Sequence, residues 1–456
     1  MKKIFYFILF FIYINTYIIL PFNQLNPELE KVINNNDINN IIASNSLLNL
    51  YTSIYMGNTP FKLLVKLYPY NNFFSFTSIP FIDYNSSNYL FYNPFLSKSL
   101  HRNKDINYKE EFREVTDIFY FITNEEEINN IYDKKNFSHI NEDKYKSYLY
   151  LNCLISNWHF SDNYTGYLGL GRNSSYYSQY HFIKELKEKS VINYSIWSVD
   201  FNTSNKNYDK GNLIIGEYPH IYSSQKFKKE NFYKIKLFND YFNENNNNDW
   251  IFRIDNSYIL KINEVRTSAN YIKFINIIFG LYFMQAPYFL FEQLNFLFFE
   301  KYFENEICQF QKVQKDNDEK IFISCSKKHF EKIDKKFFPK IIFNIKNNSN
   351  IIQLELNYTD LFITKKDKIF FSIVFSLHDR QDTLKVGQIF LYKYKFVFDY
   401  DNAELGVYID NNLNNRQNNE IIYIIFSIAF LGFIFFGYKK GWWCVDIMKT
   451  RKIKKR

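Results

Sequence analysis

Glycine is scarce in this chain, 12 residues in 456, so the places where it stands constrain the backbone path closely. Two such places stand in comparable surroundings, Gly166-Tyr167-Leu168-Gly169-Leu170-Gly171 and Val386-Gly387-Gln388-Ile389-Phe390-Leu391. A glycine within strand-like sequence marks a point where another stretch of backbone comes close. The chain therefore reads as two similar halves, each with a hairpin near its start and a glycine-marked strand near its end. The 51 Phe and 39 Tyr suit pleated, half-buried surfaces, so the body is expected to be mainly β. No solenoid period is present. The first glycine cluster lacks the strand-GxGxxG-helix order that cradles a dinucleotide phosphate, so a nucleotide site is not expected.

Strand patterns run from Tyr51 to Tyr55, Phe61 to Leu67 and Phe73 to Phe76, and Gly57-Asn58-Thr59-Pro60 is a hairpin turn between the first two. Phe242 to Asp249 holds four consecutive Asn and reads as a solvated loop. A strand pattern resumes from Trp250 to Val265. Tyr288 to Phe303 has helical spacing with one apolar face.

Two apolar segments frame the body. Residues 1–20 open with a lysine pair and continue in Ile and Phe, the pattern of a secretory leader; an uncleaved anchor is the other reading. Residues 421–438 contain no charge, and Lys439 and Lys440 follow at once, as for a membrane span whose cations stay on the cytoplasmic side. The order implies a type I protein of the secretory pathway or cell-surface membrane, its bulk lumenal or extracellular. The tail 439–456 carries eight Lys or Arg and one Asp, which leaves +2 of the net +9 for everything else. Basicity is thus assigned to the tail, and no nucleic-acid partner is expected. Cys308 and Cys325, seventeen positions apart, suit one loop-closing disulfide in an oxidising compartment. Cys153 is left as a buried thiol, and Cys444 lies past the span, where it could be palmitoylated. Of the Asn-x-Ser/Thr sites, Asn85, Asn163, Asn193 and Asn357 are carried forward as glycan acceptors.

The C-terminal motifs are specific enough to name a resemblance. Val386-Gly387 runs into Gln388-Ile389-Phe390-Leu391, then Tyr394 to Asp399, and Leu405-Gly406-Val407-Tyr408 closes the body. This resembles the end of pepsin-like (family A1) aspartic peptidases, of the membrane-anchored protist type. Other landmarks fall in the family's order: the hairpin from Tyr51 to Pro60, Leu213-Ile214-Ile215-Gly216, the pair Cys308 and Cys325, and Phe338 to Phe343. The resemblance spans 51–408 and implies a bilobal pepsin-like fold, with an N-terminal β lobe at 48–190 and a C-terminal β lobe at 191–410.

In that family each lobe supplies one Asp from an Asp-Thr/Ser-Gly loop. The two carboxylates share a proton, and the acid and base roles fall to different members. Counting from Pro60 places Tyr68-Pro69-Tyr70 on the first motif; counting back from Pro287 places Ile278-Phe279-Gly280-Leu281-Tyr282 on the second. The two Asp positions are thus occupied by Tyr68 and Ile278. A phenol with an ordinary pKa of about 10 is a poor base at neutral or acid pH, and a hydrocarbon exchanges no proton. No Asp-Thr-Gly or Asp-Ser-Gly occurs anywhere in the chain. Asp83 and Asp360 are the nearest acids in context and read as surface or turn residues. The seven His show no metal-ligand spacing, so no metal or other cofactor is expected; His378-Asp379 and Cys153 with His159 do not make a nucleophile site. The resemblance therefore points to a catalytically inactive relative that binds a peptide, protein or glycan through the old cleft or its aromatic surface, with Tyr68, Tyr70, Gly280 and Tyr282 as cleft-floor candidates. Phe279 and Leu281 would share that floor, and the rings could equally serve as packing between lobes. The alternative is an active, membrane-tethered aspartic endopeptidase.

Overall fold

The computed structural model describes residues 17–25, 49–56, 61–68, 74–77, 101–102, 112–120, 148–156, 166–172, 181–202, 210–238, 250–255, 258–262, 265–269, 271–279, 281–315, 318–347, 350–377 and 382–409. The chain divides into Met1–Tyr408, which holds every element below, and Ile409–Arg456. The span expected at 421–438 and the tail 439–456 lie outside the described residues. Among the described residues no helix is long and apolar enough to cross a membrane.

Short apolar strands build three sheets among the described residues. In the largest, Ile196–Phe201 and Lys395–Asp399 run antiparallel in the middle, with Ser198 opposite Val397. Each carries its own successor outward, Lys210–Ile215 on one side and Glu404–Tyr408 on the other. A third strand closes each side, Ile18–Leu25 against Lys210–Ile215 and Phe232–Lys236 against Glu404–Tyr408. The six strands are related by a local twofold through the Ser198–Val397 pair, three from each half. Beyond Ile18–Leu25 the same sheet continues through Asn49–Met56 and Phe61–Tyr68, whose hairpin pairs Met56 with Phe61 across the expected turn.

This arrangement bears on two boundaries. Ile18, Ile19 and Leu20, assigned above to a leader ending at residue 20, pair with Ile215, Ile214 and Leu213. Leu20 is fully buried in this sheet. The lobe boundary expected at 190/191 is crossed by the shared strands: Lys210–Ile215 hydrogen-bonds with Ile18–Leu25, at the other end of the body.

Each half contains the same three-strand figure. In the first, Gly166–Gly169 lies between Phe61–Tyr68, to which it is parallel, and Phe74–Thr77, to which it is antiparallel. In the second, Thr383–Val386 lies in the same way between Phe274–Ile277 and Met284–Pro287. The glycine-marked strand thus threads between the two strands that flank a loop.

The core between these figures is aromatic. Trp197 stacks on Phe398 at 4.0 Å and 12°, and Trp250 meets both rings edge-on. All three side chains are buried. Such pairs add about 0.5–1.5 kcal/mol each beyond the area they bury. The helical pattern at Tyr288 to Phe303 forms helix Tyr288–Leu294, a π-turn at Asn295–Phe299, and helix Glu300–Glu304. Leu290, Leu294, Phe298 and Tyr302, four apart, face the core, and the extra residue in the π-turn keeps Phe299 buried as well. Cys308 and Cys325 stand opposite each other in the hairpin Cys308–Lys315/Asp318–Ser326 and form the expected disulfide.

Candidate functional site

The two three-strand figures define the site, because each presents its loop at the same end of its glycine strand. In the first half the parallel register sets Tyr68 opposite Gly169. In the second, Ile277 stands opposite Val386, and the next residue, Ile278, donates its N–H to the Val386 carbonyl at 2.8 Å. Ile278 therefore meets Gly387 as Tyr68 meets Gly169. The two residues occupy equivalent positions in the two halves.

The second loop is held from below. Leu281 N–H donates to the Ile278 carbonyl at 3.2 Å, closing a tight turn, and Gln388 N–H donates to the Leu281 carbonyl at 2.8 Å. A Cβ on Gly387 would lie 2.1 Å from that same carbonyl oxygen. Close approach, and no left-handed backbone angle, demands glycine here. The helix Gln388–Lys393 starts directly from this contact.

The side chains of the loop face inward. Phe279 is buried and packs on Trp197 at 5.1 Å and Phe398 at 5.2 Å. Leu281 is buried too. Tyr282 is half-buried against a cluster of Phe283, Phe322, Phe370 and Val374. Ile278 is half-buried. Of the two expectations for these residues, ligand surface or packing, Phe279 and Leu281 follow packing. Tyr68 is placed by its backbone pairing alone. Tyr70 and Gly280 lie outside the described residues, as do Asp83, Asn85, His159, Asn163, His378 and Asp379.

Buried acids do exist nearby, on the far face of the shared sheet. Asp200 and Asp399 each lie two residues past the local twofold, on the side away from Trp197 and Phe398. Asp200 is 3% exposed and meets Lys226 at 2.6 Å and Lys395 at 3.5 Å. Burial pulls the Lys395 ammonium below its ordinary pKa, and Asp200 opposes that shift. Asp399 accepts from Tyr218 hydroxyl at 3.1 Å, from Asn402 N–H at 3.0 Å and from Asn402 Nδ2 at 2.9 Å. Burial, reinforced by Asp399, pushes the Tyr218 phenol up. Asp200 is hydrogen-bonded through Oδ2 to Lys226, and its Oδ1 has only the longer ion-pair approach of Lys395. Both carboxylates tie strands to the segment 216–234, which supplies Lys226 and Tyr218. Sequence reasoning missed them, although Val199-Asp200-Phe201 and Phe398-Asp399-Tyr400 repeat one pattern, a lone acid between apolar residues.

The remaining expectations sort simply. Asp360 caps the helix Tyr358–Leu361 in a reciprocal box with Asn357 and pairs with Lys393 at 2.6 Å, a turn role as expected. Asn357 Oδ1 accepts from Thr359 N–H at 3.0 Å. Asn193 is exposed ahead of Ile196–Phe201. Gly166–Gly169 is a sheet strand. Cys153 sits in Tyr148–Ser156 opposite Val115. Among the described residues no group of His, Cys, Asp and Glu could hold a metal ion.

No family model matches this sequence, and no curated protein matches it. Among solved structures the chain is similar to the crystal structure of basic 7S globulin from soybean. The TM-score is 0.52 at 10% identity, over 87% of this chain and 97% of that one. At this identity the likeness concerns the fold, which is mainly β, two-sided and pepsin-like.

Proposed function

We propose that this chain is a membrane-anchored pepsin-like aspartic-peptidase homologue that has lost catalysis and acts by holding a peptide or protein ligand. The observation that carries the reading is the equivalence of Tyr68 and Ile278, each set opposite the glycine of its half. Proton-sharing chemistry needs a carboxyl group at both positions, one to take a proton from water and one to give it to the scissile carbonyl. A phenol and a hydrocarbon supply neither. The second loop spends Phe279 and Leu281 on the core and packs Tyr282 against Phe283, so half-buried Ile278 is the side chain proposed to meet a ligand. Anchoring rests on the uncharged run 421–438, and a lumenal or extracellular setting on that run together with the disulfide.

The test has two arms on the purified full chain. A denatured protein incubated at acid pH should show no cleavage that a pepstatin-type inhibitor blocks; inhibitor-sensitive cleavage would restore the active endopeptidase reading. In the second arm, an immobilised sample should retain members of a random peptide mixture, and Ile278→Lys should lower that retention. A wild-type chain that retains no peptide would remove the ligand-holding role while leaving the loss of catalysis intact.

A further inference from the structure

Two stretches of the second half, remote in sequence, meet in one lysine-rich surface. Residues 327–340 carry six lysines against Glu331 and Asp334, and residues 362–371 carry Lys365, Lys366 and Lys368 against Asp367. Their joint charge is +6. With the tail 439–456 at +7 set apart from the net +9, the rest of residues 1–438 carries −4. A general abundance of lysine does not produce that contrast, and the assignment of basicity to the tail alone is corrected by it.

The fold brings the stretches together. Lys327 N–H donates to the Asp367 carbonyl at 2.9 Å, and Ser326 pairs with Lys368 across the sheet. Beneath them Phe330, Phe338 and Phe362 interlock with centroids 5.0–5.3 Å apart, and Tyr358 stacks on Phe362. The helix Lys327–Phe330 and the turn Lys335–Phe337 are thus anchored to the hairpin Phe362–Lys365/Lys368–Phe371 through a buried aromatic cluster. Lys328, Lys332, Lys335, Lys336 and Lys366 stand exposed above it. Glu331 lies 3.9 Å from Lys327, Asp334 meets Lys336 Nζ at 3.2 Å and accepts the Lys336 N–H at 3.0 Å, and Lys340 pairs with Glu355 at 3.0 Å. Glu331 and Asp334 are exposed, and exposed ion pairs hold their lysines weakly. On one side Tyr302, from the helix Glu300–Glu304, packs on Phe330 at 5.7 Å, and Ser326 N–H donates to the Ile307 carbonyl at 2.8 Å.

The chemistry of the patch narrows its partner. Neither stretch contains arginine, so the planar fork that recognises single phosphate or carboxylate groups is missing. Lysines act as separate point charges suited to a repeating anion. None of the exposed large apolar residues among the described ones, Tyr194, Ile221, Tyr271, Phe296, Phe310 and Ile351, belongs to these stretches. A protein interface normally needs such an apolar centre. The disulfide in the adjoining hairpin belongs to oxidising compartments, where nucleic acid is not the ordinary partner. We infer that this surface binds a linear sulfated polysaccharide by charge pairing along its length.

Heparin is the probe, titrated against the full chain over a range of salt. The variant Lys328→Glu/Lys332→Glu/Lys335→Glu/Lys336→Glu should lose affinity by roughly tenfold or more and show a shallower salt dependence. The tail variant Lys449→Glu/Lys452→Glu/Lys454→Glu/Lys455→Glu should keep the binding assigned to the patch. Unchanged affinity in the patch variant, or loss confined to the tail variant, overturns the inference. Lysine acetylation of the wild-type chain gives an independent reading that needs no altered protein: heparin should protect Lys328, Lys332, Lys335 and Lys336, and equal labelling with and without it counts against the site. Phosphatidylserine vesicles and duplex DNA are run alongside. Binding of either through the same lysines, as tight as heparin at equal salt, overturns the assignment to a polysaccharide.

Discussion

A methyl group on Gly387 would meet the backbone oxygen of Leu281 at 2.1 Å, and backbone cannot swing aside as a flexible side chain can. Gly387→Ala must therefore push the Ile278–Leu281 turn off the strand that supports it. Overpacking of this kind costs about 1–3 kcal/mol. Urea unfolding should show the midpoint falling with little change of slope; an unchanged midpoint would mean the turn is not pinned at this contact. The same residue-scale logic explains why the candidate site was only half legible. Tyr68 and Ile278 could be counted from Pro60 and Pro287, since local motifs preserve spacing. The inward packing of Phe279 depends on Trp197 and Phe398, residues far away in sequence, and no local pattern announces it.

The short helix Phe182–Glu188 begins on a buried histidine. His181 Nδ1 accepts the Lys184 N–H at 3.3 Å, and its ring packs edge-on against Tyr400 at 4.0 Å. Burial first, and the Lys184 charge second, hold its pKa down to about 3 from an ordinary 6.5. The unfolded chain takes up this proton near 6.5 while the folded chain resists it until about 3. The histidine's contribution to stability is thus complete above pH 6.5 and is lost progressively as pH falls towards 3. His181→Asn keeps a side-chain acceptor for the cap and should flatten that acid limb when unfolding free energy is measured against pH. An identical limb in the variant would assign the loss to carboxylates instead. At this scale the sequence was readable where period and punctuation are strong. The Tyr288 to Phe303 helix and the Asn49–Met56/Phe61–Tyr68 hairpin follow their patterns, whereas the π-turn at Asn295–Phe299 answers to tertiary packing of Phe298 and Phe299.

The molecule is joined across its middle by the six shared strands, and Ile18–Leu25 is the link through which the first half enters them. A chain lacking residues 1–25 would expose the edges of Lys210–Ile215 and Asn49–Met56 together. Unpaired edges of this length template association with other chains. The shortened protein should be recovered as aggregate, or unfold without the cooperative transition of the full chain, when followed by light scattering and thermal denaturation. A soluble chain with an unaltered transition would show that the strand is dispensable. The buried acids Asp200 and Asp399 belong to this scale as well, because they fasten the segment 216–234 to both sides of the local twofold.

Sequence alone announced the β character, the repeated glycine-marked figure and the pairing of Cys308 with Cys325, and counting from two prolines picked out Tyr68 and Ile278 as a matched pair. Each of these is written in spacing, residue type or local order, and survives without knowledge of the rest of the chain. Tertiary structure alone decided that residues 18–20 belong to the body, that the halves share one sheet, that Phe279 fills the core, and that two lysine stretches form one surface. Those outcomes depend on which distant strands pair and which faces meet, and pairing partners separated by nearly two hundred residues leave no period for a linear reading to detect.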